Sequence, residues 1–280
     1  MPRNQRLESH HFEALGTNCS LFAVGLTHDR LIEGEFWVRR LGARLTRFSP
    51  ESELSRLNAA GGRWVDVSAE MEELLRLSLR AYETSGGLVN AAVLPSMLAI
   101  GYTRTFSAGQ TLPTPGRARP LPALPSVLTV RRGGARLAPD CGVDLGGIAK
   151  GWMADRVRER LGPNSLANLG GDLSACGPGP RGDGWPVGVA RATVMLRDHG
   201  AATSSVRRRR WAALHHLINP RTGLPAATGL DEVSVVARSG YEAEVIAKTA
   251  LLVGPYVARA YCATHALAWW LSPTLGSEAA

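Results

Sequence analysis

The sequence predicts an α+β fold: mixed sheets with packed helices in a single compact unit. Three observations carry this. Strand-like alternation and helix-like periodicity interleave along the chain rather than repeating as regular strand–helix pairs. Glycine-centred turns join several strand candidates directly, so hairpins are expected. The 280 residues, 45% hydrophobic and 20% charged, supply a sizeable core, and no linker divides them.

Taken in order, Cys19–Val24 (CSLFAV) reads as the first strand, just after Leu15-Gly16-Thr17. A helix is expected from about His28 to Phe48, with apolar positions at Leu31, Phe36, Val38, Leu41 and Leu45. The polar turn FSPESELSRLN leads into a short helix. Ser68 can cap the next one, whose Met71, Leu74, Leu75, Ser78 and Tyr82 share a face and which Ser85-Gly86-Gly87 stops. Residues 112–125, LPTPGRARPLPALP, are too proline-rich for a regular element and are expected to form an ordered surface crossover. Val127–Val130 and Ala135–Leu137 flank Arg-Arg-Gly-Gly, a hairpin signal. VDLGG opens a helix from about Ile148 to Leu161. SLANLGGDLSACG then reads as strand, glycine turn, strand, and PVGVA and DEVSVVARS as further strands. A last helix, Tyr241–Val253, ends at Gly254-Pro255. One domain is expected over residues 1–271, with a polar tail over 272–280.

Formal net charge is +8 and the sequence pI is about 9.9. That balance favours an anionic partner such as a phosphate-bearing cofactor, a nucleic acid or an acidic protein; it also suits a plain arginine-rich soluble protein. Arg207–Arg210 argues for nucleic acid by charge alone, so no nucleic-acid partner is expected. Cys19, Cys141, Cys176 and Cys262 form no CxxC pair and no zinc spacing. The first eighteen residues contain no apolar core of a secretory signal, and no apolar run reaches membrane-span length. A cytoplasmic protein without a membrane partner is expected.

Three stretches carry chemistry. VDLGGIAKG, residues 143–151, is neither a Walker A loop nor a GxGxxG loop, because its spacings differ. A helix starting near Ile148 nevertheless aims free backbone N–H groups at whatever precedes it, and Lys150 adds a cation in its first turn. The alternative is a strand turning into a helix with small residues for close packing. Asn168-Leu169-Gly170-Gly171-Asp172 is a second glycine turn, suited to a ligand or simply to tight geometry. His216 lies in HHLINPRTGLP, where Asn219-Pro220 and Thr222-Gly223 force a turn; it reads as a base or as a structural histidine.

Together the segments ALGTNCSL, RFSPESELSRLN, TSGGLVNAAVLPSM, VDLGGIAKGWMAD, ANLGGDLSACG, the TSS of AATSSV, HHLINPRTGLP and AEVIAKTALLVG resemble, in order and over about residues 12–254, the ApbE-type FAD:protein FMN transferases. The resemblance implies an ApbE-like, T-fold-related fold. It implies cleavage of the FAD diphosphate, release of AMP, and attachment of FMN through its phosphate to a Thr or Ser of an acceptor flavoprotein. It implies help from a divalent cation, usually Mg2+. It places Leu15 and Ile218 near the flavin, Phe48 at an aromatic position against the isoalloxazine, and Leu88, Val89 and Asn90 on a flavin-contacting turn. Asp144 and Lys150 match FAD-contacting positions. Gly147 matches a metal ligand acting through its carbonyl, and His216 matches the base for the acceptor hydroxyl.

Departures fall on the metal. Glu244 and Lys248 stand where the family has Asp-x-x-x-Thr, two side chains on one helix face. Glu can still bind magnesium, but a lysine ammonium cannot. Thr249 is about 100° round the helix, a poor substitute. Two readings stand. Glu244 and Lys248 form a helix-surface pair worth roughly 0.2–0.5 kcal/mol, or the Lys248 ammonium partly replaces the metal against the diphosphate. Asn90 and Asn219 each stand where the family has Asp. With two carboxylates lost and a lysine gained, metal affinity is expected to fall while FAD binding is favoured. The expected function is FAD:protein FMN transfer; the alternative is a catalytically weakened FAD-binding protein of the same fold.

Overall fold

The computed structural model describes residues 6–109, 119–190 and 192–274. Its main sheet has seven strands: β1 (Leu7–Ala14), β2 (Thr17–Val24), β3 (Ser165–Leu169), β4 (Asp172–Cys176), β5 (Gly200–Ser205), β6 (Leu230–Ala237) and β7 (Ala268–Pro273). They lie side by side in chain order, and every neighbouring pair is antiparallel. This bears out the α+β class. Two strand connections are two-residue turns that demand a left-handed backbone. Leu15-Gly16 joins β1 to β2 with φ of +56° and +67°, and Gly170-Gly171 joins β3 to β4 with φ of +74° and +98°. Glycine adopts such angles freely, whereas Leu15 holds one against its preference.

Between β2 and β3 the chain makes α1 (His28–Leu45), α2 (Glu53–Asn58), α3 (Ala69–Thr84) and α4 (Ala149–Leu161), plus a small sheet of 64–66, 128–131 and 134–137. After β6 come α5 (Gly240–Val253) and α6 (Pro255–His265). Helices cover one face of the sheet. Val233, Val235 and Ala237 of β6 point into them, among Ala243, Ala247, Ala250 and Leu251 of α5. Val236, one residue out of phase, faces the other way with Trp185, Val187, Val189 and Leu196 of a hairpin covering the opposite face. The period-two alternation of a strand produces both contacts.

Five local expectations are corrected. α1 ends at Leu45, since Thr46 is already extended. Phe36 is 67% exposed, and Trp37 is the aromatic that packs inward; Phe36 lies off the stripe of Leu31, Val38, Leu41 and Leu45. The polar stretch Leu7–Ala14 is a full strand, stabilised by its ladder to β2 rather than by its own propensity. Within 112–125, residues up to 118 lie outside those described. Leu124–Val127 forms one helical turn because Pro125 sits in its first turn, where its missing N–H costs nothing. The last strand runs through Ser272-Pro273, the start of the expected tail, because these residues pair with Glu232 and Leu230.

The junction of α4, α5 and β5 decides how closely the site is drawn together. Gly151, Gly200 and Gly240 meet there backbone to backbone. Asp155 of α4, one turn beyond Gly151, accepts hydrogen bonds from the Gly240 and Tyr241 N–H groups at 2.8 and 2.9 Å. Ser239 caps the same helix start by accepting from Glu242 N–H. A Cβ on Gly151 would stand 2.7 Å from the Gly240 carbonyl carbon. Gly151→Ala is therefore expected to cost about 1–3 kcal/mol through overpacking. The check is the urea midpoint against Gly188→Ala, where nothing lies within 4 Å. Equal midpoints for the two variants would refute the close helix contact.

Candidate functional site

A cavity of about 440 Å³ opens between the β1–β2 turn, α1, α4, α5 and the segments around 88–106 and 209–218. That volume suits a small-molecule site. Leu15, Phe48, Leu88, Val89, Asn90, Asp144, Gly147, Lys150, His216, Ile218 and Lys248 all line it. Residues spread over more than 230 positions of sequence are thus brought to one place. Glu244 stands just behind this wall, bonded to residues within it.

One part of the cavity is aromatic and apolar. Phe48 and Tyr102 lie 5.8 Å apart between centroids, and Trp211 stands 5.5 Å from Tyr102. The Arg47 guanidinium lies 4.3 Å from the Phe48 centroid and 4.7 Å from that of Tyr102. Arg47 is almost fully buried. Its Nε donates to Asp144 Oδ2 at 2.5 Å and another nitrogen donates to the Tyr102 carbonyl at 2.8 Å. The Ser85-Gly86-Gly87 turn presents buried Leu88 and Val89, held by Ser85 Oγ accepting from Val89 N–H. Asn90 reaches the cavity, but its amide donates to the Pro122 carbonyl and its oxygen accepts from Ala92 N–H. These two bonds fix Asn90 to the loop at the edge of the cavity. Asn219 likewise serves a turn, accepting from Arg221 N–H.

The other part is basic. The Lys150 ammonium meets Asp172 Oδ2 and lies 3.7 Å from Glu244 Oε1. Lys248 donates to the Gly147 carbonyl and lies 3.8 Å from the same Glu244 oxygen. Glu244 Oε2 accepts from Gly151 N–H at 3.0 Å, so this carboxylate caps α4 while bridging two ammoniums. Two expectations change accordingly. Glu244 and Lys248 are not a helix-surface pair, since their side chains are only 5% and 14% exposed. Nor are the first N–H groups of α4 all free for a phosphate. Ala149 bonds the Leu145 carbonyl and Gly151 bonds Glu244.

The stretch 143–151 ties both parts together. Asp144 pairs with Arg47 on the aromatic side, while Gly147 and Lys150 reach the lysine cluster. Arg209, held at φ +50°, also lines the cavity. The basic run is therefore divided: Arg207 pairs with Asp231, Arg208 reaches the Gly170 carbonyl, and Arg209 turns to the site. Among the described residues, the lining carries Arg39, Arg47, Lys150, Arg209 and Lys248 against one carboxylate, Asp144. Glu35, Asp172 and Glu244 pair with these cations just outside the lining, so a small positive balance remains, which favours an anion.

The two adjacent histidines separate. His215 is structural, with Nε2 against the Ala226 carbonyl at 2.9 Å and Nδ1 accepting from Leu217 N–H. His216 lines the cavity, and its Nδ1 is buried with no hydrogen-bond partner among the described residues. Burial pushes its pKa well below the ordinary histidine value, and Arg209, Lys248 and Lys150 add to the push. Burial likewise lowers Lys150 to about 8, opposed by Glu244 and helped by Arg209 and Lys248. Lys248 is lowered by burial against the pull of Glu244 and Asp144.

A model of the ApbE family matches residues 15–270. The chain belongs to the ApbE family. It is 28% identical over 252 residues to the FAD:protein FMN transferase of Klebsiella pneumoniae (strain 342), covering 81% of this chain and 77% of that protein. It is 27% identical over 273 residues to the FAD:protein FMN transferase of Salmonella typhimurium, covering 87% and 77%. The solved ApbE protein of Thermotoga maritima has the same fold, with a TM-score of 0.84 at 19% identity over 95% of this chain and 94% of that one. The apo flavinyl transferase ApbE of Pseudomonas stutzeri gives 0.81 at 21% identity over 98% and 93%.

Within this ApbE frame a divalent cation does not fit the residues present. The Gly147 carbonyl is taken by the Lys248 ammonium, and both Glu244 oxygens are engaged. Among the described residues no three His, Cys, Asp or Glu side chains stand close enough to hold a metal. A unit charge pair at 4 Å is worth roughly 4 kcal/mol at an effective dielectric of 20, so a dication beside one ammonium faces about twice that in repulsion. A carboxylate at the same distance offsets a comparable amount, but Glu244 is already shared between Lys150 and Lys248. Arg47, Tyr102, Asp172 and Arg209 are site neighbours that the sequence reading did not assign. Arg47, next to Phe48, Asp172, in the Gly170-Gly171 turn, and Arg209, in its conspicuous run, carried some local signal; Tyr102 carried none. No helix among the described residues is long and apolar enough to cross a membrane.

Proposed function

We propose that this chain transfers FMN from FAD to a Thr or Ser hydroxyl of an acceptor flavoprotein. One observation carries the reading: a single cavity joins an aromatic, apolar wall to a cluster of cations, as a molecule with a flat ring system and a diphosphate requires. Leu15, Phe48, Leu88, Val89 and Ile218 bound the isoalloxazine, and Arg47, fixed by Asp144, stiffens the aromatic side. Asn90 holds the loop bearing Pro122 in place. Lys150, Lys248 and Arg209 take the diphosphate charge.

In the transfer step the acceptor hydroxyl oxygen attacks the flavin-side phosphorus. The new P–O bond forms as the bond to the AMP phosphate oxygen breaks, and the electron pair leaves with AMP. His216 takes the hydroxyl proton. Its burial among cations keeps the imidazole neutral and able to accept. The bound diphosphate offsets those cations and raises the basicity of the ring when it is needed. The lysines stabilise the charge on the departing phosphate. A cytoplasmic setting belongs to the same proposal, since all four cysteines are free thiols, the form a reducing compartment maintains.

The test is incubation of the pure protein with FAD, with and without an acceptor flavoprotein, measuring AMP and covalent flavin. Equal amounts of both are expected, and only with the acceptor present. Tight FAD binding that yields neither would leave a flavin-binding protein and end the transferase reading for those acceptors.

A further inference from the structure

We propose that this chain handles the FAD diphosphate without a divalent cation, the Lys248 ammonium standing at the Gly147 carbonyl as a built-in replacement. The inference rests on the flavin-transfer reading and concerns how the same site neutralises its substrate.

Three observations converge. Lys248 donates to the Gly147 carbonyl, which lies in the turn just before α4. An ammonium has three donors, so two remain for phosphate oxygens. Glu244 is buried and already serves three groups: Gly151 N–H and the ammoniums of Lys150 and Lys248. It keeps two like charges together at the cavity wall, which is the work of a structural counter-ion rather than of an open metal ligand. The remaining carboxylate of the lining, Asp144, is also spent, on Arg47 and on Gly146 N–H. Even a magnesium ion that keeps waters and takes substrate phosphate oxygens needs one or two protein oxygens, and the candidates here, the Gly147 carbonyl and Glu244, are already engaged. Arg209 lines the same wall and supplies further charge.

The geometry also explains why a lysine works at this helix position. Lys248 is one turn beyond Glu244, so its stem runs along α5 beside the carboxylate and delivers the ammonium to Gly147 across the gap between α4 and α5. The charge is fixed by the fold and needs no ion from solution.

The test measures FAD affinity by quenching of flavin fluorescence, in magnesium chloride and in EDTA, together with Mn2+ binding by electron paramagnetic resonance and AMP release with an acceptor. For the native chain, equal FAD affinity in both buffers, no Mn2+ signal change in the FAD-loaded protein, and AMP release persisting in EDTA are expected. Lys248→Thr should weaken FAD binding in EDTA by roughly tenfold or more, the effect of losing a charged hydrogen bond, with magnesium restoring part of it. Tighter FAD binding in magnesium, or Mn2+ bound by the native FAD complex, overturns the proposal even if transfer proceeds. Unchanged affinity in Lys248→Thr overturns it as well. Failure of FAD to bind in either buffer instead overturns the flavin-transfer reading, and this inference with it.

Discussion

His216→Gln is expected to lower FMN transfer by about 10²–10⁴-fold, the usual contribution of a positioned base, while leaving FAD affinity nearly intact. Glutamine keeps the bulk of the ring but cannot take the acceptor proton. The imidazole lines the cavity with a buried, unpartnered Nδ1, so its removal breaks no internal hydrogen bond seen among the described residues. A purely structural histidine would behave differently. His215, which is bonded to the Ala226 carbonyl and Leu217 N–H, should lose stability on the same change without a selective loss of transfer. The pH profile supplies a second readout. A base must be neutral, so the rate falls as pH drops through its pKa. Burial and the cations around His216 lower that pKa. The acid limb of kcat/KM, which reports the free enzyme, should therefore lie below the ordinary histidine range. Transfer that survives His216→Gln unchanged would remove this residue from the mechanism.

Arg47→Met is expected to destabilise the fold by about 3 kcal/mol, because it leaves the largely enclosed Asp144 carboxylate, 14% exposed, with only Gly146 N–H as a partner. The guanidinium is bound to Asp144 and to the Tyr102 carbonyl, and it stacks on both Phe48 and Tyr102. One deletion thus removes an ion pair, a hydrogen bond and two ring contacts. The decisive comparison is Arg47→Met combined with Asp144→Asn, which takes away the uncompensated charge. Urea unfolding of the double variant should recover much of the loss. If the double variant is no more stable than Arg47→Met alone, the cost lies in packing and not in the pair. Flavin binding should stay weak in both, since the aromatic wall loses its clamp.

Much of this architecture was legible in the sequence because the signals are local. Gly170-Gly171 between two apolar runs could hardly be anything but a tight hairpin turn, and Ser68 with Met71 three residues on is a cap that the chain makes with itself. The helix that follows VDLGG begins within a residue of its expected start for the same reason. The candidate site residues came as a set through the resemblance; all of them except Glu244 line one cavity, and Glu244 stands behind its wall. What was not legible depends on partners distant in sequence. Arg47 meets Asp144 across 97 positions, and Tyr102 across 55. The bond from Asn90 to the Pro122 carbonyl spans 32 positions and had no signal in the sequence. Leu7–Ala14 looks polar because half its positions face solvent, and only pairing with its neighbour makes it a strand.

The sequence by itself determined the α+β class, the hairpin turns, the helix boundaries near glycine and proline, and membership of the flavin-transferase pattern. The first three rest on backbone conformations encoded within a few residues; the last is a resemblance carried by motifs spread over about residues 12–254. It left Glu244 and Lys248 suspended between a surface pair and a replaced metal site, since an i, i+4 spacing is the same in both. Only the tertiary structure excludes the surface pair. By packing α5 on α4 through Gly151 and Gly240, it buries the pair and carries the Lys248 ammonium to the carbonyl of Gly147, about a hundred residues away in the chain. A buried charge must find a partner, and the fold alone determines which partner is within reach.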